Sequence, residues 1–384
     1  MALMLCSTFV MMTRSAIPEA GSLEGKYAAV LEDAAPVRFP GIVPEGSPPD
    51  AVGDVDCNSP MHWDGDTVYM FYSVQHPFRS SGSDLSHLSR PSKRVSFDNE
   101  AGWKMGGRWI EATHKAKDGK LYMWYHNEPF VLPSKTAPRI GCMVSNDNGM
   151  AWQDLGIILE APPDSNNLES ANYYFVGGNG DFAVVPEHNG EYLYFFISTY
   201  NKDVSEQGVA VARMPYGDRD KPNGKVFKWR QGRWDEPGLG GHVTPIFPAA
   251  VDWHRADVDA FWGPSVHFNT YLNAWVMLLN RAKDKDWGQE GIYISFNKEL
   301  SEPGGWTKPV KILDASQLEK SKWYPQVIGT DAAKHETDKI AGRRARLFVS
   351  GLSKWEIVFL KPGEKIPVHE SSSSMGQKPS EPQQ

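Results

Sequence analysis

Acidic residues recur just before, or at the start of, the aromatic segments of this 384-residue chain. They fall at four places: Asp54 with Asp56, Glu111, Asp181, and Asp257 with Asp259. Carboxyl groups gathered in one cavity resist joint ionisation, so some hold a proton while others stay ionised. A protonated acid can then protonate a leaving oxygen, while an ionised one activates water or attacks carbon. The acids therefore predict carboxyl acid–base chemistry, provided that one fold brings them together.

The segments that must position these acids share one plan, a lead-in followed by a turn and an aromatic strand. Five copies occur, with a changed turn in the fourth and a longer insertion in the fifth; they begin at Asn58, Thr113, Asp181, Gly263 and Tyr324. Short strand-like runs bounded by Gly, Pro, Asn and Asp dominate, and helical periodicity is scarce. Such repeats bury their faces by packing around an axis, so the pattern indicates a radial array.

A second strand pattern that ends in tryptophan follows three of the copies, in residues 93–103, 141–152 and 292–306. After the third copy, residues 208–217 keep the strand but lose this motif. Two hairpins per copy make a four-stranded antiparallel blade. We therefore predict an all-β, five-bladed β-propeller as a single domain over residues 23–362. The Gly/Pro-rich residues 232–257 are expected to form a long loop over one face.

One turn matches the Asp-box pattern S-x-D-x-G-x-x-W, with Ser145, Asp147, Gly149 and Trp152. Asp and Ser side chains in such turns accept hydrogen bonds from backbone N–H groups, and the tryptophan packs beneath. We expect Asp147 to be structural.

The entrances of the innermost propeller strands converge on one rim, where a pocket forms. We therefore predict that Asp56, Glu111 and Asp181 are the catalytic acids, whereas Asp54 on its own fits a turn. Nine other residues near the rim are predicted to bind substrate: Asn58, His62, Trp63, His114, Asp259, Trp262, His267, Tyr324 and Gln326.

The side-chain chemistry of this set suits sugars. The tryptophans offer flat faces to a sugar ring, or alternatively pack between blades. The histidines could bond hydroxyl groups, tune an acid or hold a metal, and the Asn and Gln amides could bind hydroxyl groups. No histidine spacing indicates a particular metal. The chemistry requires no cofactor, although a structural or catalytic divalent cation in the central channel is an open alternative.

The repeated acid–strand–turn–aromatic-strand pattern over residues 54–360 resembles the five-bladed β-propeller glycoside hydrolases. These are the family 43 superfamily of arabinanases, β-xylosidases and arabinofuranosidases, with the invertases (family 32) as relatives. The segment IEATHKAKDGKLYMWY is similar to the stretch that carries their acid, which implies that Glu111 is the proton donor. The segment GDFAVVPEHNGEYLYFF is similar to their second-blade Asp stretch, which implies that Asp181 tunes a pKa and that Asp56 is the base or nucleophile.

This chain departs from the family pattern in two ways. Its Glu precedes the second Asp, and Asp56-Cys57-Asn58 replaces the usual Asp-Pro. The roles of the three acids can therefore be permuted.

The resemblance implies a glycoside hydrolase that acts on a plant or microbial poly- or oligosaccharide. A carbohydrate-binding propeller without turnover is one alternative; its acids would be too dispersed to cooperate, or one would be neutralised by a fixed salt bridge. A polysaccharide lyase is the other, with His114 or His267 as base. The single Asp-box and the lack of an evident arginine cluster disfavour a sialidase.

Composition narrows the range of partners. The net charge is -7 and no basic cluster stands out, which argues against nucleic acid. No apolar run is long enough for a membrane span, and the oligomeric state stays open.

Residues 1–22 are predicted to be an export signal or a disordered segment, which favours a secreted or periplasmic protein, and residues 363–384 a disordered tail. Cys57 and Cys142 either pair or stay free.

Overall fold

The structure is a computed structural model that describes residues 26–43, 46–48, 51–103, 105–318 and 323–365. The predicted export signal or disordered segment at 1–22 lies outside these residues, as does the predicted tail beyond residue 365. Among the helices of the described part, none combines the length and the apolar character that a membrane span requires.

Strands make up nearly all of the regular structure. In chain order they are β1 Ala28–Arg38, β2 Met61–Asp64, β3 Thr67–Val74, β4 His76–Gly82, β5 Lys93–Arg94, β6 Ser96–Phe97, β7 Trp109–Lys115, β8 Leu121–Asn127, β9 Phe130–Leu132, β10 Lys135–Thr136, β11 Arg139–Ser145, β12 Ala151–Leu159, β13 Asn179–Pro186, β14 Tyr192–Thr199, β15 Gly208–Pro215, β16 Phe227–Arg230, β17 Arg233–Pro237, β18 Phe247–Pro248, β19 Ala260–Asn269, β20 Ala274–Ala282, β21 Gln289–Asn297, β22 Val310–Asp314, β23 Pro325–Gly329, β24 Ile340–Ala341, β25 Arg344–Val349 and β26 Leu352–Leu360. The helices are short: α1 Glu100–Trp103 and the 3-10 turns Leu85–His87, Val204–Glu206, Tyr216–Asp218, Pro303–Gly305, Ala315–Gln317 and Ala332–Lys334.

The strands form five blades, as the repeats predict. Blade 1 is β2-β3-β4-β5, blade 2 β7-β8-β11-β12 with β6 beside β12, blade 3 β13-β14-β15-β16-β17 with β18 beside β15, blade 4 β19-β20-β21-β22 with β24 beside β19, and blade 5 β23-β25-β26-β1. The all-β, five-bladed prediction is confirmed. Three blades carry strands beyond the predicted four, and β6 and β24 join their sheets in parallel.

Blade 5 is built from both ends of the described chain. Strand β1 pairs antiparallel with β26, from Ala28 opposite Leu360 to Arg38 opposite Leu352. The outermost strand of this blade thus comes from the start of the sequence. Strand β1 thereby covers the edge of β26 that would otherwise be unpaired. Backbone hydrogen bonds between these two strands close the ring.

The hydrophobic core lies between neighbouring blades. Trp124 of blade 2 meets Phe195 of blade 3 edge to face, with ring centroids 5.7 Å apart, and both are buried. Such aromatic contacts account for much of the aromatic content, because each blade face is covered by the next blade.

The expectation of one long loop over residues 232–257 was wrong in part. Strand β17 pairs with β16, and β18 pairs with β15. The outer edge of blade 3 supplies backbone partners that turn parts of this Gly/Pro-rich segment into strands.

The Asp-box turn is structural, as predicted. The Asp147 carboxylate accepts backbone N–H bonds from Met150 at 2.9 Å and Ala151 at 3.0 Å. Ser145 Oγ accepts the N–H of Gly149 at 3.0 Å, and the indole N–H of Trp152 donates to the Gly149 carbonyl at 3.0 Å. The turn connects β11 to β12.

Cys57 and Cys142 are both buried and free, so the alternative in which they pair does not apply. The Cys57 thiol donates to the carbonyl of Ile110 at 3.3 Å. This contact joins the entrance of blade 1 to the start of β7.

Candidate active site

The innermost strands of blades 2 and 3 each carry a β-bulge near their start. The pairing of β7 with β8 shifts between Ile110 and Ala112, which leaves Glu111 as the extra residue. The pairing of β13 with β14 shifts between Gly180 and Phe182, which leaves Asp181 as the extra residue, with φ of 37°. Bulges re-aim a side chain, and here they bring both carboxyl groups into one cluster.

Glu111 is the most enclosed of these acids, with its side chain 1% exposed. Its Oε2 accepts the backbone N–H of Phe182 at 2.6 Å, and its Oε1 lies 3.1 Å from His126 Nδ1. Burial raises the pKa of Glu111 to about 8, and the charge of Asp56 raises it too, while the Phe182 N–H opposes the shift. Glu111 therefore holds its proton at neutral pH.

Asp181 lies beside Glu111, and one oxygen of each lies within 4.8 Å of the other. The Tyr200 hydroxyl donates to Asp181 Oδ2 at 3.0 Å. Burial raises the pKa of Asp181 to about 7, and the charge of Glu111 raises it further. Two carboxyl groups so close in a buried site titrate as a coupled pair, because ionising one disfavours ionising the other.

Asp56 reaches the same cluster from the entrance of blade 1 and is only half-buried. The Trp109 indole N–H donates to its Oδ2 at 3.2 Å, and the Tyr324 hydroxyl donates to its Oδ1 at 3.4 Å. Burial raises its pKa, while these two donors favour the ionised form and lower it. The three predicted acids thus meet in one place, although they are far apart in sequence.

Two residues of the cluster were missed from the sequence, His126 and Glu128. His126 Nε2 lies 3.6 Å from Glu128 Oε1, while its Nδ1 faces Glu111. The Glu128 side chain is 25% exposed. Burial raises the pKa of Glu128 to about 7, and the charges of Asp181, Asp56 and Glu111 add to this. The Asp118-Gly119 turn predicts the hairpin, but only the bulge at Glu111 shifts the register so that His126 pairs with Trp109.

The same group could hold a metal ion. Glu111, His126 and Asp181 each offer one ligand atom, and these atoms lie within 4.8 Å of one another. Two carboxylates and an imidazole suit zinc and similar divalent cations. A bound cation would displace the proton from Glu111, because a ligating carboxylate must be ionised.

Among the residues predicted to bind substrate, Tyr324 contacts one of the acids, and Asn58 follows Asp56 by two positions in the sequence. Tyr324 touches Asp56, as described above. The buried Asn58 donates from Nδ2 to the carbonyl of Pro264 at 3.4 Å. Its Oδ1 has no partner in the described part of the chain. This oxygen remains able to accept a hydrogen bond.

The polar groups of Gln326 and Asp259, two residues predicted to bind substrate, already have partners within the protein. The Gln326 amide accepts the N–H of Ser59 at 2.9 Å and donates to its carbonyl at 2.6 Å. Asp259 accepts two hydrogen bonds from Arg281, at 2.7 and 2.8 Å, and one from Lys283 at 3.0 Å. Gln326 joins blade 5 to blade 1, and Asp259 is a neutralised acid.

The two predicted tryptophan platforms are also packed. Trp262 is buried and meets Trp287 edge to face at 4.5 Å. Trp63 stacks on His335 at 5.2 Å and donates to the carbonyl of Glu336 at 3.0 Å. These contacts match the alternative of packing, since the neighbouring rings compete with any sugar.

The predicted histidines have partners outside the acid cluster. His114 Nε2 lies 2.8 Å from the Tyr216 hydroxyl, and burial lowers the pKa of His114 to about 4. His267 packs against Phe359 at 5.6 Å, and burial lowers its pKa to about 3. Neither is placed to serve as a base beside the acids, so the lyase alternative loses its candidate groups.

His62 lies near the opposite end of the blades. Its Nε2 lies 3.3 Å from Asn148 Oδ1, and Lys115, at the far end of β7, also donates to that oxygen. Lys115 lies four positions after Glu111 along β7, roughly 13 Å at the usual rise per residue. Burial lowers the pKa of His62 to about 3. His62 is therefore too far from the acids to bind a hydroxyl group of a sugar held there.

No protein-family model matches the sequence, and no curated protein matches it either. Among solved structures, the chain is similar to a protein of Bifidobacterium bifidum s17 assigned as an exo-β-1,3-galactanase, with a TM-score of 0.50 and 12% identity over 84% of this chain and 91% of that one. It is also similar to the exo-β-1,3-galactanase of Phanerochaete chrysosporium with β-1,3-galactotriose, with a TM-score of 0.49 and 11% identity over 85% and 64% of the two chains. A third is the α-L-arabinanase of Cellvibrio cellulosa complexed with arabinohexaose, with a TM-score of 0.45 and 13% identity over 79% and 91%.

The similarity to the Bifidobacterium bifidum protein is a similarity of fold. The chain has the fold of the five-bladed β-propeller glycoside hydrolases, which confirms the architecture that the resemblance implied.

Proposed function

We propose that this protein is a glycoside hydrolase that cleaves a plant or microbial poly- or oligosaccharide by carboxyl acid–base catalysis. The observation that carries the proposal is the meeting of Glu111 and Asp181 within 4.8 Å at matching bulges of consecutive blades. Asp56 joins them from a third blade. The fold shared with glycosidases supports the same conclusion.

Glu111 is the proton donor in this proposal. Its pKa of about 8 keeps it protonated at neutral pH, as the leaving oxygen requires. Asp181 tunes Glu111 through the coupling of the two carboxyl groups. Asp56, with donors on both of its oxygens, is the base that activates water or the nucleophile that attacks the sugar carbon.

Carbohydrate binding without turnover is the second candidate. A fixed salt bridge at the acids would favour it. Asp259 is held in that way by Arg281 and Lys283, but it is not one of the clustered acids. Glu111 and Asp181 have raised pKa values, mainly because they are buried, and the basic side chain 3.1 Å from Glu111 is His126 rather than a lysine or arginine. This difference favours hydrolysis.

The proposed reaction needs no cofactor, and a cation at Glu111, His126 and Asp181 would oppose proton donation by Glu111. Action in a secreted or periplasmic setting belongs to the same proposal.

The test compares release of reducing sugar from galactan, arabinan and xylan by the parent and by Glu111→Gln. Loss of a general acid should lower the rate about 10²- to 10⁴-fold, while glycan binding persists. Asp54→Asn is the matched control, because Asp54 lies at the same entrance but is exposed. Equal rates for Glu111→Gln and the parent would exclude Glu111 as the acid. Binding without sugar release by the parent would favour the second candidate.

A further inference from the structure

A run of three aromatic residues, Tyr173, Tyr174 and Phe175, leads from solvent to the acid cluster. Tyr173 is 61% exposed, Tyr174 38% and Phe175 5%. The Phe175 ring lies 4.8 Å from that of Tyr200 and 6.3 Å from that of His126. Since Tyr200 bonds Asp181 and His126 faces Glu111, the inner end of this run touches residues that hold the acids.

The outer part of the run is held firmly by its neighbours. The Tyr174 ring meets three rings edge to face: Tyr173 at 4.8 Å, Trp287 at 5.8 Å and Trp323 at 6.3 Å. Both tyrosines nevertheless keep exposed surface, 61% for Tyr173 and 38% for Tyr174, that another partner can contact. An exposed aromatic ring that is already fixed loses little conformational entropy when a ligand stacks on it.

The backbone of the run is fixed as well. The Tyr174 N–H donates to Asn172 Oδ1 at 2.9 Å, and the Tyr174 carbonyl accepts the Thr136 N–H at 3.0 Å. The Tyr173 N–H donates to the carbonyl of Lys285 at 3.0 Å. Thr136 belongs to the β9–β10 hairpin that follows Glu128, so the tyrosines lie beside the segment that leaves the acid cluster.

The position of Tyr174 relative to the acids has a second line of support. Burial raises the pKa of Tyr174, and the charges of Asp56 and Glu128 raise it further. Asp56 and Glu128 are the more exposed carboxyl groups of the cluster. Tyr174 is therefore near enough to Asp56 and Glu128 for their charges to act on its hydroxyl group.

We propose that Tyr173 and Tyr174 form a platform that binds an uncharged sugar ring of the substrate, next to the unit held at the carboxyl cluster. The C–H face of a sugar stacks on an aromatic ring, and the tyrosine hydroxyls can bond sugar hydroxyls. The location beside the cleaved bond rests on the proposed function. The platform itself rests on the exposure and the contacts of the two tyrosines.

The electrostatics of the cluster select a neutral sugar. Four carboxyl groups meet there: Asp56, Glu111, Glu128 and Asp181. Among the described residues, the side chains that hydrogen-bond these four carboxyl groups or lie within ion-pair distance of them are His126, Trp109, Tyr200 and Tyr324. None of these is a lysine or arginine that could pair with a uronate or a sulfate. A negatively charged glycan would therefore find no lysine or arginine side chain at these carboxyl groups to pair with.

The experiment measures binding in the Glu111→Gln background, so that ligand is not consumed. Calorimetry with galacto-, arabino- and xylo-oligosaccharides is compared with polygalacturonate as the charged glycan. We expect Tyr173→Ala and Tyr174→Ala each to weaken binding of the preferred neutral oligosaccharide about tenfold, which is about 1.4 kcal/mol. Tyr174→Phe keeps the ring and should retain most of the affinity. Phe227→Ala, an exposed aromatic on the outer strand β16, is the control that should change nothing.

These outcomes test the tyrosine platform independently of the proposed glycoside hydrolase activity. Unchanged affinity in both Tyr→Ala variants, or no binding of any neutral glycan, overturns the platform even if the parent protein hydrolyses glycans. Weakened binding in these variants supports the platform even if the parent shows no hydrolysis, in which case the proposed function fails alone. Binding of polygalacturonate as tight as that of neutral glycans overturns the selection for uncharged sugars.

Discussion

Glu111 and Asp181 occupy the same structural position, the extra residue of the bulge in the innermost strand of successive blades, and one oxygen of each lies within 4.8 Å of the other. Regular pairing would alternate side chains between the two faces of a blade. The bulge breaks that alternation at one residue in each blade. The two acids therefore meet because the same β-bulge occurs in blades 2 and 3.

Stability should fall as the pH rises through the range in which Glu111 ionises. Its pKa is about 8 in the folded protein, against 4.5 for an ordinary Glu. The folded state thus holds this proton more tightly, so the stabilisation is full below about pH 4.5 and is lost as the pH approaches 8. Urea unfolding from pH 5 to 9 should show a shallower decline for Glu111→Gln than for the parent or for Asp54→Asn. Identical slopes would mean that Glu111 is ionised throughout.

Trp109→Phe should move the acidic limb of the kcat/KM profile to higher pH. The indole N–H bonds Asp56 and lowers its pKa, so its loss makes the carboxyl group harder to ionise. A hydrogen bond to a charged group contributes about 1.5 kcal/mol, so the shift should be up to about one pH unit. Trp234→Phe on the outer strand β17 serves as the control. If the acidic limb of the kcat/KM profile does not move in Trp109→Phe, Asp56 is not the base.

Gly180→Ala should impair turnover by displacing His126. A Cβ at position 180 would lie 2.8 Å from two atoms of the His126 ring, closer than van der Waals contact permits. Because His126 faces Glu111, kcat should fall about tenfold or more, in line with the effect of small misplacements in active sites. Gly217→Ala, where the added Cβ meets nothing within 4 Å, is the matched control. Full activity in Gly180→Ala would show that the position of His126 is unimportant.

Asp147→Ala should destabilise the protein while leaving kcat unchanged. The carboxylate caps the turn through the N–H groups of Met150 and Ala151. Loss of such a cap costs about 1–2 kcal/mol, measurable by urea or thermal unfolding. Asp66→Ala, in the exposed turn between β2 and β3, should cost much less. A large drop in kcat for folded Asp147→Ala would contradict a purely structural role.

Chelation should leave activity intact, and zinc should inhibit. A cation on Glu111, His126 and Asp181 competes with the proton that Glu111 donates. Activity is measured after EDTA treatment and then with added Zn²⁺ at several pH values, and inhibition should weaken at lower pH. Activity that disappears with EDTA and returns with a divalent cation would show instead that the reaction requires the metal.

The sequence was sufficient to predict the blades and the strand entrances at which the three acids lie, because strand periodicity and turn residues mark each repeat locally; the catalytic roles of the acids stay predictions. It was insufficient for His126 and Glu128, since their proximity to Glu111 depends on hairpin register and on the bulge. The partners that Gln326 and Trp262 have within the protein could not be predicted from the sequence, for a related reason. An amide or an indole near a rim looks the same in sequence whether it faces a ligand or, as here, Ser59 and Trp287.

Strand β1 fills the outer position of blade 5, beside β26. During synthesis, β1 leaves the ribosome well before its partner β26, so the ring cannot be sealed until residues 352–360 have emerged. A nascent chain must keep this strand uncommitted, and chains that stop before residue 352 would display an unpaired edge open to association with other chains.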